Sequence, residues 1–178
     1  MRIIGGRFRG RKLINYHNET THPTTDRVKE NVFNILNGRI DFADCSVLDL
    51  FAGTGQYGLE AHSRGAMNII FNDSDPNAAA VIMKNCESIN FKTQILNLDF
   101  LKCLEKYKHQ KFNLIFLDPP YASDFGNQAV EFLFKNQMLI KNGFIVFETS
   151  KDRTFEIDCF DTVIKKYGRA QVLLLSHK

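Results

Sequence analysis

Residues 118–121, with the sequence Asp-Pro-Pro-Tyr, combine side chains that could hold and support a planar amino group. They follow the short apolar run 114–117, which has the length and composition of a buried strand in a parallel sheet. Two successive prolines fix the backbone φ angle, so Asp118 and Tyr121 leave the strand in nearly preset directions. The Asp118 carboxylate and the Pro119 carbonyl are then two acceptors for an NH2 group beside the Tyr121 ring.

We interpret Asp118, Pro119, Pro120 and Tyr121 as a catalytic corner, in which the ring of Tyr121 rather than its hydroxyl group supports a base. The alternative is a strand-terminating turn without a catalytic role, because Asp-Pro is common in turns. These four residues alone do not separate the two interpretations. Residues upstream favour the first.

A glycine-rich segment, residues 53–58, follows the apolar strand predicted at 46–50 and precedes a helix. Its spacing, G-x-G-x-x-G with Asp73 twenty residues beyond Gly53, matches the dinucleotide fingerprint, so a nicotinamide enzyme is a competing hypothesis. Asp49 argues against it, because a carboxylate just before the loop would repel a pyrophosphate at the helix N-terminus. S-adenosylmethionine carries an ammonium and a sulfonium group and no phosphate, so we predict it as the cofactor.

Further acidic residues complete the predicted cofactor site. Asp73 can accept hydrogen bonds from ribose hydroxyls, Asp99 can accept one from the adenine amino group, and Phe100 can pack on the adenine ring. Two structural alternatives remain, namely acceptance of local NH groups by Asp49 and helix N-capping by Asp99. The predicted cofactor-binding residues are Asp49, Phe51, Gly53, Thr54, Gly55, Asp73, Ser74, Asp99 and Phe100.

The elements that position these residues alternate between strand and helix patterns. Predicted strands end near the four aspartates 49, 73, 99 and 118, and a fifth strand is predicted at 144–147. Residues 161–167 and 171–175 predict a hairpin. We therefore expect an α/β fold with a Rossmann-like, doubly wound, mainly parallel sheet and an antiparallel C-terminal hairpin strand, in which the aspartates share the ligand-binding edge.

Length and composition limit the classes of protein to which this chain can belong. The chain has 178 residues, 44% of them hydrophobic, and a net charge of +3. This length favours one domain over residues 1–178, with residues 1–40 forming a basic arm and a helix. The four cysteines and five histidines have no metal-ligand spacing, so we predict no metal and a reducing compartment. No apolar run reaches the roughly 18 residues of a membrane span, and we expect a cytoplasmic protein without a membrane partner.

Positive charge is concentrated at the N-terminus. The first twelve residues contain five cations, one aromatic residue and no acid. Such a segment is typical of one that follows a phosphate backbone, and the alternative is a solvated basic strand or loop. The predicted RNA-binding residues are Arg2, Arg7, Phe8, Arg9, Arg11 and Lys12.

Several segments together resemble the bacterial family of 16S rRNA guanine-N2-methyltransferases, within the class I methyltransferases that act on amino groups of bases. The resemblance rests on Asp-Leu-Phe-Ala-Gly-Thr-Gly at 49–55, Asp-Pro-Pro-Tyr at 118–121, and segments 1–13, 23–36 and 59–66. It implies methyl transfer from S-adenosylmethionine to the exocyclic N2 of a loop guanine in 16S rRNA. It also implies a small ribosomal subunit or its assembly intermediate as partner.

The resemblance assigns residues 118–121 to catalysis and residues 49–55, Asp73 and Asp99 to the cofactor. Two positions depart from the family, because His22 stands where arginine is usual and Asp73 where glutamate is usual. An adenine-N6 methyltransferase of DNA or RNA is an alternative, although a target-recognition domain is not evident. A non-catalytic RNA-binding assembly factor is another, which the presence of Asp49, Asp73 and Asp118 disfavours.

Overall fold

The computed structural model describes residues 1–15, 26–153 and 159–178. Helices and strands alternate along the middle of the chain, and two strands end it. The helices are α1 (Asp26–Asn37), α2 (Gln56–Ser63), α3 (Pro76–Glu87), α4 (Phe100–Lys106) and α5 (Phe125–Lys135), and the strands are β1 (Ser46–Asp49), β2 (Asn68–Asn72), β3 (Gln94–Leu96), β4 (Phe112–Leu117), β5 (Leu139–Ser150), β6 (Asp161–Tyr167) and β7 (Ala170–Ser176).

The seven described strands form one sheet in the order β3-β2-β1-β4-β5-β7-β6. Strands β1 to β5 pair in parallel, while β7 is antiparallel to both of its neighbours. The C-terminal hairpin therefore adds one reversed strand between β5 and β6. The predicted fold class is confirmed.

The order of the strands reverses at β1, which lies between β2 and β4. Asp49 at the end of β1 is in register with Phe116, two residues before Asp118. In open α/β sheets the loops on either side of such a reversal diverge and leave a crevice at the carboxyl edge. The topology thus brings the glycine loop after β1 and the corner after β4 to the same crevice.

Successive residues of the central strands enter two different cores, because side chains alternate between the faces of a sheet. Val47 and Leu114 pack with α1, α2 and α3 on one face. Leu48 and Ile115 pack with α4 and α5 on the other. Both faces are covered, which explains why these strands are continuously apolar.

Several element boundaries differ from the sequence-based expectation, among them those of β3 and β5. Strand β3 stops at Leu96 instead of Leu98, because the Asn72 side chain bonds the backbone of Leu98 at both its carbonyl (3.1 Å) and its NH (3.3 Å). The side-chain amide replaces the strand ladder there. Strand β5 begins at Leu139, five residues early, and its pairing with β4 shifts register between Phe112 and Leu114.

Residues 1–15, which we call the N-terminal loop, pack on the body of the protein. Ile3 and Leu13 are buried in the core on the α1–α3 face, and Arg2 and Lys12 form an antiparallel bridge. The predicted arm is therefore a closed loop with two apolar anchors. His22, one of the two positions that depart from the family, lies outside the described residues. Among those described, no helix is both long enough and apolar enough to cross a bilayer.

Candidate active site

The corner after β4 is a tight turn. Asp118 is half-buried, Pro119 is buried and Pro120 is exposed. The Pro120 carbonyl accepts hydrogen bonds from the Ser123 NH (2.9 Å) and hydroxyl (2.7 Å), and the Arg153 guanidinium donates to the Ser123 carbonyl. The predicted turn is present, and these bonds hold its polar groups in place at the carboxyl edge.

The hydroxyl group of Tyr121 has a partner that the sequence did not suggest. It donates to Oε1 of Glu148 at 3.1 Å, while the Tyr57 hydroxyl donates to Oε2 of the same carboxylate at 2.8 Å. Glu148 is only 1% exposed. Burial, with the negative charges of Glu148 and Asp118, raises the pKa of Tyr121, so the phenol stays protonated and remains a donor.

The glycine loop after β1 leaves room for a ligand. Gly53 and Gly55 adopt φ angles of 55° and 77°, which favour glycine. A Cβ built on Gly53 would meet nothing within 4 Å, whereas one on Gly55 would contact Phe71 at 3.3 Å. Gly53 therefore borders open space, and Gly55 is held close to the packed interior.

Asp49 lies beneath this loop and is only 2% exposed. Its Oδ2 accepts a hydrogen bond from the Gly58 NH at 2.9 Å, which joins β1 to α2. This is the local NH acceptance that the sequence left open as an alternative. Burial raises the pKa of Asp49 to about 7, the Gly58 bond lowers it in part, and Asp73 raises it further. A cation at the loop would restore the ionised form.

Asp73 supports the glycine loop from the end of β2. Its Oδ2 accepts from the Gly53 NH at 2.8 Å and its Oδ1 from the Asp75 NH at 2.9 Å. The Ser74 NH also donates to this carboxylate. A carboxylate has about four acceptor sites, so at least one remains for a ribose hydroxyl. Burial raises the pKa of Asp73, and these backbone bonds partly offset that rise. The adjacent Ser74 is exposed.

Asp99 and Phe100 occupy the start of α4. Asp99 is exposed, and its Oδ1 accepts from the Leu101 NH at 2.9 Å, so it is a helix N-cap. Phe100 is 5% exposed and packs at centroid distances of 5.4 Å from Phe51 and 4.9 Å from Phe125. Phe51 is half-buried and Phe125 is 40% exposed, so they present more ring surface than Phe100 does.

Thr54 differs from the other predicted cofactor residues. It is 6% exposed, its hydroxyl donates to the Met1 sulfur at 3.1 Å, and its carbonyl accepts from the Asn85 side chain at 2.9 Å. Asn85 also accepts from the Ile14 NH at 2.8 Å. Thr54 thus connects the glycine loop to the N-terminal loop.

The predicted RNA-binding cations lie on the surface of the N-terminal loop. All five cations are exposed, namely Arg2, Arg7, Arg9, Arg11 and Lys12. Arg2 pairs with Asp26 at 3.3 Å, and Arg11 donates to the Ser88 carbonyl. Phe8 is half-buried, with its ring stacked on His62 at 5.7 Å and the Arg7 guanidinium 5.3 Å from its centroid.

A buried charged cluster holds this loop to α1 and α2. Lys29 and Glu60 have fully buried side chains, with Nζ and Oε2 separated by 3.7 Å. Glu60 also accepts from the NH groups of Ile4 (2.7 Å) and Gly5 (2.8 Å), and pairs with Arg64 at 2.9 Å. Lys29 donates to the Arg2 carbonyl at 2.6 Å. Sequence reasoning missed this cluster, because both residues have the spacing of ordinary helix-surface charges.

Sequence reasoning also left out Glu148, Asn72 and Phe125. One signal could have found Glu148, because it comes at the end of the strand predicted at 144–147, just as the four aspartates come near the ends of the other predicted parallel strands. For the packing of Phe125 on Phe100, we find no signal in the sequence. Within residues 1–15, 26–153 and 159–178, no group of three or more His, Cys, Asp or Glu side chains could hold a metal ion.

Comparison with known proteins identifies related chains over nearly the whole length. The family model described as "Conserved hypothetical protein 95" matches residues 1–176. The chain is 40% identical over 159 residues to the ribosomal RNA small subunit methyltransferase D of Haemophilus influenzae, covering 86% of this chain and 80% of the relative.

Solved structures show the same architecture. A hypothetical protein of Thermus thermophilus superimposes with a TM-score of 0.86 at 26% identity, covering 99% of each chain. A 16S rRNA N2 G1207 methyltransferase of the same species, solved with AdoMet and guanosine, has a TM-score of 0.68 at 21% identity, covering 87% of this chain and 44% of that one. The second likeness concerns the fold alone.

Proposed function

Since the chain belongs to the family described as "Conserved hypothetical protein 95", we propose that it transfers a methyl group from S-adenosylmethionine to the exocyclic N2 of a guanine in small-subunit 16S rRNA. One observation carries this proposal. The register of Asp49 with Phe116 brings the glycine loop and the Asp118 corner to neighbouring strand ends. This arrangement supports the proposal, in which the loop holds a cationic cofactor and the corner supplies two acceptors for an amino group.

The residues present fit S-adenosylmethionine. Gly53 borders open space, Asp49 supplies negative charge below the loop, and Asp73 retains acceptor capacity for ribose hydroxyls. Gln56, at the start of α2, is buried, and its Oε1 has no hydrogen-bond partner among the described residues. A buried acceptor without a hydrogen bond destabilises a protein, and the ammonium group of the cofactor is a suitable donor to it.

The catalytic work assigned to this chain is orientation. S-adenosylmethionine supplies an electrophilic methyl group on a sulfonium centre. The Asp118 carboxylate and the Pro119 carbonyl accept hydrogen bonds from the guanine amino group, which aligns its nitrogen lone pair with that methyl group. Tyr121 supports the ring of a base displaced from its stack. The amino proton leaves after transfer, to Asp118 or to solvent.

The substrate we propose is 16S rRNA within a small ribosomal subunit or its assembly intermediate, with the N-terminal loop contacting phosphates and the enzyme acting in the cytoplasm. Purified protein would be incubated with labelled S-adenosylmethionine and naked 16S rRNA, small subunits, or subunits from cells lacking this protein. Mass-spectrometric mapping should find N2-methylguanosine at one position in the last sample. Methyladenosine would support the adenine-N6 alternative, and absence of transfer would support a non-catalytic assembly factor.

We expect S-adenosylmethionine affinity to rise with pH, because the cofactor cation favours ionised Asp49. Since the pKa of Asp49 without cofactor is about 7, binding below that pH must displace a proton. Affinity should therefore fall by up to about tenfold per pH unit below 7, where the carboxyl is protonated, and level off above 7. Calorimetry over a range of pH values measures this directly.

Asp49→Asn is the matched control for this pH dependence, since its amide oxygen can still accept from the Gly58 NH. The variant should bind more weakly than the parent at pH 8 and show a much flatter profile. A parent whose affinity does not change between pH 6 and pH 8 would contradict the assignment of Asp49.

Arg7 and Arg9 are expected to contribute to the salt dependence of RNA binding. Both are exposed on the N-terminal loop, whereas Arg2 forms an ion pair with Asp26 and Arg11 donates a hydrogen bond to the Ser88 carbonyl. Replacing both by alanine should reduce the slope of log K against log salt by about 1.4, at about 0.7 per lost phosphate contact in single-stranded RNA. The slope is obtained by titrating RNA at several salt concentrations.

Lys102→Ala/Lys106→Ala is the control for the same loss of charge. These lysines lie on α4, across the sheet from the N-terminal loop. The double substitution should leave the slope of log K against log salt close to that of the parent. Equal slopes for the Arg7/Arg9 variant and the parent would mean that RNA is held elsewhere.

A further inference from the structure

We propose that Glu148 is a positioning residue for methyl transfer, whose buried carboxylate holds Tyr121 through its hydroxyl group and is itself held by Tyr57. This inference rests on the proposed function and deepens it. It changes the expectation for Tyr121, since the hydroxyl group then matters as well as the ring.

The geometry leaves each oxygen of Glu148 with its own phenol donor. Oε2 accepts from Tyr57 at 2.8 Å and Oε1 accepts from Tyr121 at 3.1 Å. Glu148 is 1% exposed and Tyr57 is 3% exposed, so water has little access to this bridge. A buried carboxylate is stable only with well-placed donors, and such charged hydrogen bonds are stronger than neutral ones.

Tyr57, the second donor to Glu148, is packed among aromatic rings. Tyr57, on α2, stacks on Phe116 with centroids 4.8 Å apart and planes 18° apart, and Phe33 contacts both rings. Phe116 belongs to β4, which leads directly to Asp118. Phe116 contacts Tyr57, Tyr57 bonds Glu148, and Glu148 bonds Tyr121. This chain of contacts thus starts on β4 and ends in the corner that follows β4.

This ring of contacts fixes the direction of the Tyr121 side chain relative to Asp118. A half-buried tyrosine at an exposed turn would otherwise change rotamer freely, and stacking a base on it would then require ordering the ring at each turnover. Holding the ring beforehand is a preorganising effect, which increases the rate once substrate is bound. We therefore expect Glu148 to influence the rate of transfer more than cofactor binding.

Glu148→Gln tests the role with the least change in shape. Its amide keeps one acceptor oxygen but turns the other position into a donor, so one phenol loses its acceptor. Single-turnover methylation of small subunits at saturating S-adenosylmethionine and RNA should slow by about tenfold. The dissociation constant of S-adenosylmethionine should stay within about twofold of the parent value.

A double-mutant cycle with Tyr121→Phe separates positioning from general loosening. If Glu148 acts through the Tyr121 hydroxyl, the double variant should be no slower than the slower single variant. Tyr107→Phe is the matched control, since its hydroxyl donates to Gln94 at 2.8 Å in an exposed bond. Its effect should be small, and should add independently to that of Glu148→Gln. Fully additive rate losses for Glu148→Gln and Tyr121→Phe would overturn the proposal.

Tyrosine NMR gives a readout that does not depend on activity. The chain has five tyrosines, so selective ring labelling gives a simple spectrum in which Tyr121→Phe identifies the Tyr121 signal by its loss. In Glu148→Gln the Tyr121 signal should shift and sharpen as its ring gains freedom, while the Tyr107 signal stays in place.

An unshifted Tyr121 signal, or a parental transfer rate in Glu148→Gln, would overturn the role of Glu148 while leaving the proposed function intact. A parent protein that methylates no RNA would instead remove the proposed function, and the catalytic role of Glu148 with it.

Discussion

Asp118→Ala is expected to remain folded and to bind S-adenosylmethionine, but to transfer methyl groups about 100- to 1,000-fold more slowly, which is the effect of removing one preorganised polar group at a reacting centre. Asp118 is half-buried at a turn held by other bonds, so its loss leaves the corner in place. The glycine loop, Asp49 and Asp73 are unchanged, so the cofactor site should persist. Single-turnover rates and calorimetry with S-adenosylmethionine measure the two effects separately.

Asp118→Asn is the matched control for this prediction. Its amide oxygen can accept one hydrogen bond from the guanine amino group, so the variant should transfer faster than Asp118→Ala and more slowly than the parent. A near-parental rate in Asp118→Ala would show that the Pro119 carbonyl alone orients the amine, or that the amine is held elsewhere.

Glu60→Ala is expected to lower the free energy of unfolding by about 3–5 kcal/mol, which is typical of removing one partner of a buried ion pair. Lys29, whose side chain is fully buried, would lose its counter-charge. The NH groups of Ile4 and Gly5 would lose their acceptor, so the N-terminal loop should loosen at the same time. Denaturant unfolding followed by circular dichroism measures the change.

Because domains of this size have a total stability of only about 5–15 kcal/mol, Glu60→Gln provides a second variant that keeps its shape and should lose less. The matched control is Lys108→Ala, which breaks a surface ion pair with Glu105 and should change stability by no more than about 1 kcal/mol. A Glu60→Ala protein that unfolds at the parental denaturant concentration would show that the buried cluster does not hold the loop.

The fold could be predicted from the sequence because its signals are local. Apolar runs of strand length, amphipathic helices and the glycine turn each reveal their own element, and alternation of strands and helices leaves few topologies for a parallel sheet. One departure came where a side chain replaced backbone pairing. Asn72 bonds the backbone of Leu98 and shortens β3, and no periodicity shows that.

The candidate site was predicted in part for the same reason. Strand-end carboxylates are visible in a sequence, so Asp49, Asp73, Asp99 and Asp118 could be assigned to one edge of the sheet from their positions along the chain. Their partners could not be assigned. Asp49 accepts a hydrogen bond from the Gly58 NH, and Asp99 accepts one from the Leu101 NH. Both residues therefore have a structural role, which could not be decided from their residue type alone.

The sequence by itself determined the family, the order of the elements and the edge of the sheet to which we assign the candidate site, because these depend on residue types at short spacings. Only the tertiary structure decided which groups, distant along the chain, form hydrogen bonds with each buried carboxylate. Glu148 meets Tyr57 and Tyr121 across separations of 91 and 27 residues, and Glu60 meets the backbone of Ile4 across 56. A buried carboxylate must find donors wherever the fold brings them, so its partners follow from packing and cannot be read from spacing along the chain.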